Sequence, residues 1–169
     1  MENFIVEVGM KLDKSFDFYK DMLLKHGLKQ VFYCETFDVY YSNKKSFDGL
    51  TEKQIKNSCI RIRNSQDKEK ENSLINEGYF KVLETLKKDY HYKNENMKSC
   101  IQLQIINNLG LVVYYDNPEY YNLPLDVQRS LLFKELNNFG FTFKENDLGI
   151  DKLRTLLYKK EMFSKNQNG

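Results

Sequence analysis

Two arginines one residue apart, Arg61 and Arg63, lie in an alternating stretch over 58–64 in which Ile60 and Ile62 take the opposite side. In an extended chain such a pair leaves one face about 7 Å apart. Two guanidinium forks at that spacing can grip successive phosphate groups, each through a bidentate pair of hydrogen bonds. Four other stretches put polar groups on one side in the same way: Glu7 and Lys11 in 4–12, Asp38 and Tyr40 in 30–42, Gln102 and Gln104 in 99–106, and Tyr114 and Asp116 in 111–116. The alternation fits a sheet whose second face meets water. It equally fits a curved sheet or barrel whose polar interior binds a charged ligand.

The elements that must carry these groups emerge from period and punctuation. Phe4, Val6, Val8, Met10 and Leu12 form one apolar strand face. Asp13 and Ser15 are placed to cap a helix bearing Phe16, Tyr19, Met22 and Leu23, which Gly27 stops. Residues 30–42 read as one long strand or two short ones. Thr51 with Gln54 resembles a capping box, so 52–57 reads as a short helix. The charged run 65–72 reads as a mobile loop, and 73–88 as a helix carrying Leu74, Ile75, Tyr79, Phe80, Val82, Leu83 and Leu86. Asn107–Gly110 turns 99–106 into a hairpin with 111–116. Beyond Pro118 and Pro124, Asp126 is read as the cap of a helix over 127–138, with Val127, Leu131, Leu132 and Leu136 inward and Gly140 ending it. Phe141–Phe143 reads as a brief strand, and Asp151 as the cap of a last helix with Leu153, Leu156 and Leu157 inward. The order predicts an α+β fold: a curved, mostly antiparallel sheet, or an incomplete barrel, with flanking helices.

Composition narrows the function. The chain has 169 residues, 30% of them charged, with 26 basic against 24 acidic side chains and a net charge of +2. That balance gives no general case for nucleic-acid binding. No apolar run is long enough for a bilayer, and the N-terminus has no basic n-region, so neither a membrane span nor a signal peptide is expected. Cys34, Cys59 and Cys100 are an odd number without close spacing. They fit apolar fillers in a reducing cytoplasm better than a disulfide framework or a zinc site. His26 and His91 show no partner in the sequence and are expected at the surface. Tyr114, Tyr115, Tyr120 and Tyr121 are expected to pack the last helices onto the sheet.

The order Glu7-Val8-Gly9-Met10-Lys11, then a helix, then Phe37-Asp38-Val39-Tyr40-Tyr41, then Cys59-Ile60-Arg61-Ile62-Arg63 resembles the CYTH superfamily over about the first 64 residues. That group, also called triphosphate tunnel metalloenzymes, holds class IV adenylyl cyclases, thiamine triphosphatases and inorganic triphosphatases. Its hallmark is a Glu-x-Glu-x-Lys strand; position 9 here is Gly. The resemblance implies a single CYTH-like domain over 1–163 with a frayed tail over 164–169. It implies phosphate binding by Lys11, Arg61 and Arg63, and Mg²⁺ or Mn²⁺ held by Glu7 and Asp116. Asp38, Tyr40, Gln102, Gln104 and Tyr114 would line the cavity. The expected function is binding of a nucleotide or polyphosphate, a phosphorylated small molecule; the sequence leaves open whether a divalent metal also hydrolyses it as a triphosphatase, since position 9 is Gly. The alternative is a non-catalytic interaction protein that keeps the fold without the metal chemistry. The resemblance leaves the oligomeric state open.

Overall fold

The computed structural model describes residues 6–64, 67–142 and 152–157. Six strands form one antiparallel sheet in the order β1-β6-β5-β4-β2-β3, which does not close into a barrel. The strands are β1 (Val8–Lys11), β2 (Lys29–Ser42), β3 (Cys59–Arg63), β4 (Phe80–Lys93), β5 (Ile101–Ile106) and β6 (Gly110–Tyr115). The helices are α1 (Phe16–Lys25), α2 (Glu52–Ser58), α3 (Lys68–Asn76) and α4 (Leu125–Phe139), with a 3-10 turn at Pro118–Tyr120 and helical backbone over 152–157. No helix among the described residues is long and apolar enough to cross a membrane.

The chain divides into two compact units, and β2 and β4 each give one half to either. The first comprises Met1–Cys34, Lys88–Ile106 and Gly110–Ile150. Its core is the apolar face predicted from period two. Val8 lies opposite Tyr115 and Met10 opposite Val113, with Leu103 next in the second row. On that face α1 buries Tyr19 and Leu23, and α4 buries Leu132 and Leu136. Ser15 caps α1 by accepting from the Phe18 backbone N–H, while Asp13 instead accepts from the Tyr19 hydroxyl at 2.8 Å.

The start of α4 differs from expectation. Pro124 is its N-cap, and Asp126 lies in the first turn, where its charge suits the helix dipole without a capping bond. Val127 is 39% exposed; the neighbouring Gln128 is the buried residue. Its amide accepts from the Val6 N–H and donates to the Leu123 carbonyl, so it ties the chain before β1 to the connector before α4. A polar side chain at a core position is invisible to a hydrophobic period.

The second unit comprises Glu35–Lys87, Asn107–Leu109 and Asp151–Gly169. Val39, Tyr41, Ile62 and Leu74 form its core between the β2–β3 pair and α3. The capping box at Thr51 and Gln54 is present in full. Glu52, in the first turn of α2, accepts from the backbone N–H groups of Leu153 and Arg154, and so supplies an anion to the start of the helical segment over 152–157.

The largest correction concerns 65–88. Within the run read as a loop, Asp67 caps α3 by accepting from the Lys70 N–H. The helix expected to continue to 88 ends at Asn76, before Gly78 in a left-handed conformation at φ 87°. The chain then enters β4, fourteen residues long. Its alternate positions Thr85, Lys87, Asp89 and His91 are buried or partly buried yet polar, so the strand carries no apolar period to read. The Phe143 end of the brief strand and Asp151 lie outside the described residues.

Candidate functional site

In the second unit the β2–β3 register sets Asp38 opposite Arg63 and Tyr40 opposite Arg61. Arg63 donates from Nε and Nη2 to the two Asp38 carboxylate oxygens at 2.8 and 2.9 Å. Asp38 is 2% exposed, so this bidentate pair keeps its charge compensated and fixes the guanidinium plane. Arg61 hydrogen-bonds the Tyr40 hydroxyl; burial and the Asp38 charge raise the Tyr40 pKa, and Arg61 pulls it back.

Two lysines join this group. Lys87 comes from β4, and Lys152 from the helical segment. The Lys152 ammonium is brought down to about 8, first by burial, then by the Lys87 charge, with Arg63 and Arg61 adding and Asp38 opposing. Arg61, Arg63 and Lys87 thus act electrostatically on Lys152 together with Asp38, which is hydrogen-bonded to Arg63. Arg61, Arg63, Asp38 and Tyr40 were legible as i, i+2 pairs. Lys87 falls in the span read as helix, and Lys152 carries no signal of its own in the sequence.

In the first unit β1, β6 and β5 line up the other predicted residues. Gly9, Tyr114 and Gln102 form one cross-strand row; Lys11, Val112 and Gln104 form the next. Continuing the register by one step sets Glu7 opposite Asp116. A Cβ at Gly9 would lie 2.3 Å from Tyr114 Cε1, so the tyrosine ring covers the place of the hallmark carboxylate. The Lys11 side chain runs toward Gly110, with its Cε 3.8 Å from where a Cβ there would sit. Asp116 accepts from Ser99 Oγ at 2.6 Å and from the Tyr121 hydroxyl. The Tyr121 pKa rises to about 12, first through that hydrogen bond, then through burial and the charges of Asp116 and Glu7.

Gln104 is 5% exposed; its amide nitrogen donates to Asp89 Oδ2 and to Gln102 Oε1, both at 3.1 Å. His91, expected at the surface without a partner, is partly buried, with Nε2 3.1 Å from Asp89 Oδ1 and its ring against Phe32. His26 is exposed at the C-terminus of α1, as expected. The three cysteines are partly buried and none is in a disulfide. Tyr115 and Tyr120 both donate to Glu135 of α4, which is the packing role expected of them.

Among the described residues no three His, Cys, Asp or Glu side chains are grouped to hold a metal ion. Both Asp116 oxygens accept hydrogen bonds, and position 9 offers no carboxylate. Among the described residues the donor set that the resemblance implies for Mg²⁺ or Mn²⁺ is thus incomplete.

No protein-family model matches the chain, and no curated protein matches it by sequence. Solved structures match by fold. The PH1012 protein of Pyrococcus horikoshii superposes with a TM-score of 0.57 at 14% identity, over 85% of this chain and 93% of its own. A conserved hypothetical protein of Pyrococcus furiosus gives 0.55 at 14% identity, over 84% and 94%. A protein of Vibrio parahaemolyticus described as a candidate adenylate cyclase gives 0.50 at 13% identity, over 86% and 97%. At these identities the likeness is one of fold.

Proposed function

We propose that this is a divergent CYTH-like protein that binds a nucleotide or polyphosphate through Arg61, Arg63, Lys87 and Lys152. The observation that carries the reading is Lys152: a partly buried ammonium whose charge is disfavoured by Lys87, Arg63 and Arg61, with Asp38 opposing them. A protein that brings like charges together in a poorly solvated place gains most from a polyanion. Asp38 occupies the Nε–Nη2 edge of Arg63 and so orients it, and Arg61, beside Tyr40, supplies a fork that matches phosphate oxygens. Lys11, on the polar face of the first unit, is proposed separately as a phosphate-binding residue of that unit. The likeness to the Vibrio structure supports the fold part of this reading. The ring of Tyr114 over Gly9 favours binding without turnover over metal-dependent triphosphate hydrolysis. A Mg²⁺ or Mn²⁺ ion at Glu7 and Asp116 is the requirement of the hydrolytic alternative.

Thermal denaturation with ATP, thiamine triphosphate and inorganic triphosphate, each with and without Mg²⁺ or Mn²⁺, tests this. A ligand at 100 times its Kd stabilises by about 2.7 kcal/mol, which raises Tm by about 5–10 °C for a chain of this size. A metal-independent rise, lost in Arg61→Ala, is expected. A rise that requires the metal and is lost in Glu7→Gln, with product formed, would transfer the reading to the hydrolase. No rise with any of the three would contradict the proposal.

A further inference from the structure

A cavity of about 460 Å³ opens in the second unit, between the end of β2, α2 and the start of β4. Its volume lies within the range of about 300–1,000 Å³ in which small molecules are held. Ile60 lines it, and alternation along β3 sets Ile60 on the face opposite Arg61 and Arg63. The cavity is thus separate from the phosphate site proposed above. Leu50, Ile60 and Tyr79 give it an apolar, partly buried floor. Ile60 and Tyr79 are anchored against Val39, Tyr41, Ile62 and Leu74. The walls are tied by hydrogen bonds. Ser42 Oγ donates to the Ser58 carbonyl at 2.8 Å and accepts from the Lys44 N–H at 3.2 Å, which joins the end of β2 to the end of α2. Gln54 Oε1 accepts from the Thr51 N–H at 2.8 Å, so the Gln54 side chain has only its NH₂ group left to offer.

The rim carries Asn43, Lys44, Gln54 and Asn57, and none of the residues lining the cavity is acidic. The Lys44 ammonium and the Gln54 NH₂ can only donate, while Asn43, Asn57 and the Tyr79 hydroxyl can donate as well as accept. We propose that this cavity binds a small organic monocarboxylate with an aromatic or branched apolar body. The body would rest on Leu50, Ile60 and Tyr79, and the carboxylate would take the donors of the rim, Lys44 first. One lysine matches one negative charge, which favours a carboxylate over a polyphosphate. The apolar floor favours an amphipathic acid over a bare inorganic anion. The site shares no residue with the Lys152 cluster, and it stands whether or not that cluster binds phosphate.

The test uses the full chain and 1-naphthoate, with uncharged 1-naphthamide as its counterpart. Titration calorimetry should give a Kd of about 1 mM or tighter for the acid, as expected for a ligand of this size. The amide should bind at least about threefold more weakly, and Lys44→Met should weaken the acid by a similar factor without changing the amide. Lys44 is exposed, so that variant should keep the parent Tm. In the unmodified protein the acid should shift the side-chain amide resonances of Asn43, Gln54 and Asn57 ahead of other side-chain amides, a readout that needs no variant. Inorganic triphosphate should not displace it. Absence of binding, equal affinity for acid and amide, unchanged affinity in Lys44→Met, or displacement by triphosphate would overturn the proposal.

Discussion

Replacing Arg63 with Ala is expected to lower the stability of the protein by about 2–4 kcal/mol, because it strands a buried charge. The Asp38 side chain is 3% exposed and accepts one hydrogen bond from Arg63 at each of its oxygens. Without Arg63 both carboxylate oxygens lose these hydrogen bonds in a poorly solvated place. Arg61→Ala is expected to cost less than about 1 kcal/mol, since its neighbour across the ladder is the neutral hydroxyl of Tyr40. Urea unfolding should show a lower midpoint for Arg63→Ala at unchanged slope. Asp38→Asn in the Arg63→Ala background should recover part of the loss by removing the stranded charge. Equal costs for the two arginines would mean that the bidentate pair does not hold Asp38.

The second large effect is at Gly9. Its φ is outside the left-handed range, so the glycine is not required by backbone conformation. It is required by the ring of Tyr114, its cross-strand partner. A Cβ 2.3 Å from Cε1 and 2.8 Å from Cδ1 forces that ring to move. Gly9→Ala is therefore expected to cost about 1–3 kcal/mol, the range for overpacking a filled site. Gly9→Glu, which restores the family carboxylate, should cost at least as much. In a Tyr114→Ala background Gly9→Ala should be neutral or stabilising, because a strand residue gains from losing glycine flexibility. A double-mutant cycle would give the coupling directly. A Gly9→Ala protein as stable as its parent would show that the ring does not fix this position.

How much of this was legible depended on whether a buried face was apolar. Val6, Val8, Met10 and Leu12 announced β1 because their face is greasy, and all four are buried. The same rule failed at β4, where Thr85 and Asp89 are buried and Lys87 and His91 partly so. There the sheet turns polar side chains inward, and Leu83 with Leu86 mimicked a helix. The candidate site was half legible for the same reason. Arg61, Arg63, Asp38 and Tyr40 stand on strands with apolar opposite faces, whereas Lys87 had no such frame. Lys152 needed tertiary information: Glu52, about a hundred residues earlier, holds the start of its helical segment. Gly9 was visible as a departure from the family pattern, but only the register with Tyr114 explains what fills its place.

The central claim is that the cluster around Lys152 takes up an anion, and proton linkage tests it most directly. The Lys152 pKa in the folded protein is about 8, against an ordinary value of 10.5. The unfolded chain therefore binds more protons between those values, and the stability penalty of the buried ammonium is present at low pH and relieved as pH rises through that window. A bound polyanion reverses the balance by favouring the charged amine. Binding should then take up protons above pH 8, and affinity should fall as pH rises further. Isothermal titration of ATP without metal at about pH 8.5, where its phosphates are fully ionised, in two buffers of different ionisation enthalpy reads this uptake. The account predicts buffer-dependent heats showing proton uptake in the wild-type protein and none in Lys152→Met. No binding, or the same uptake in Lys152→Met, would contradict it.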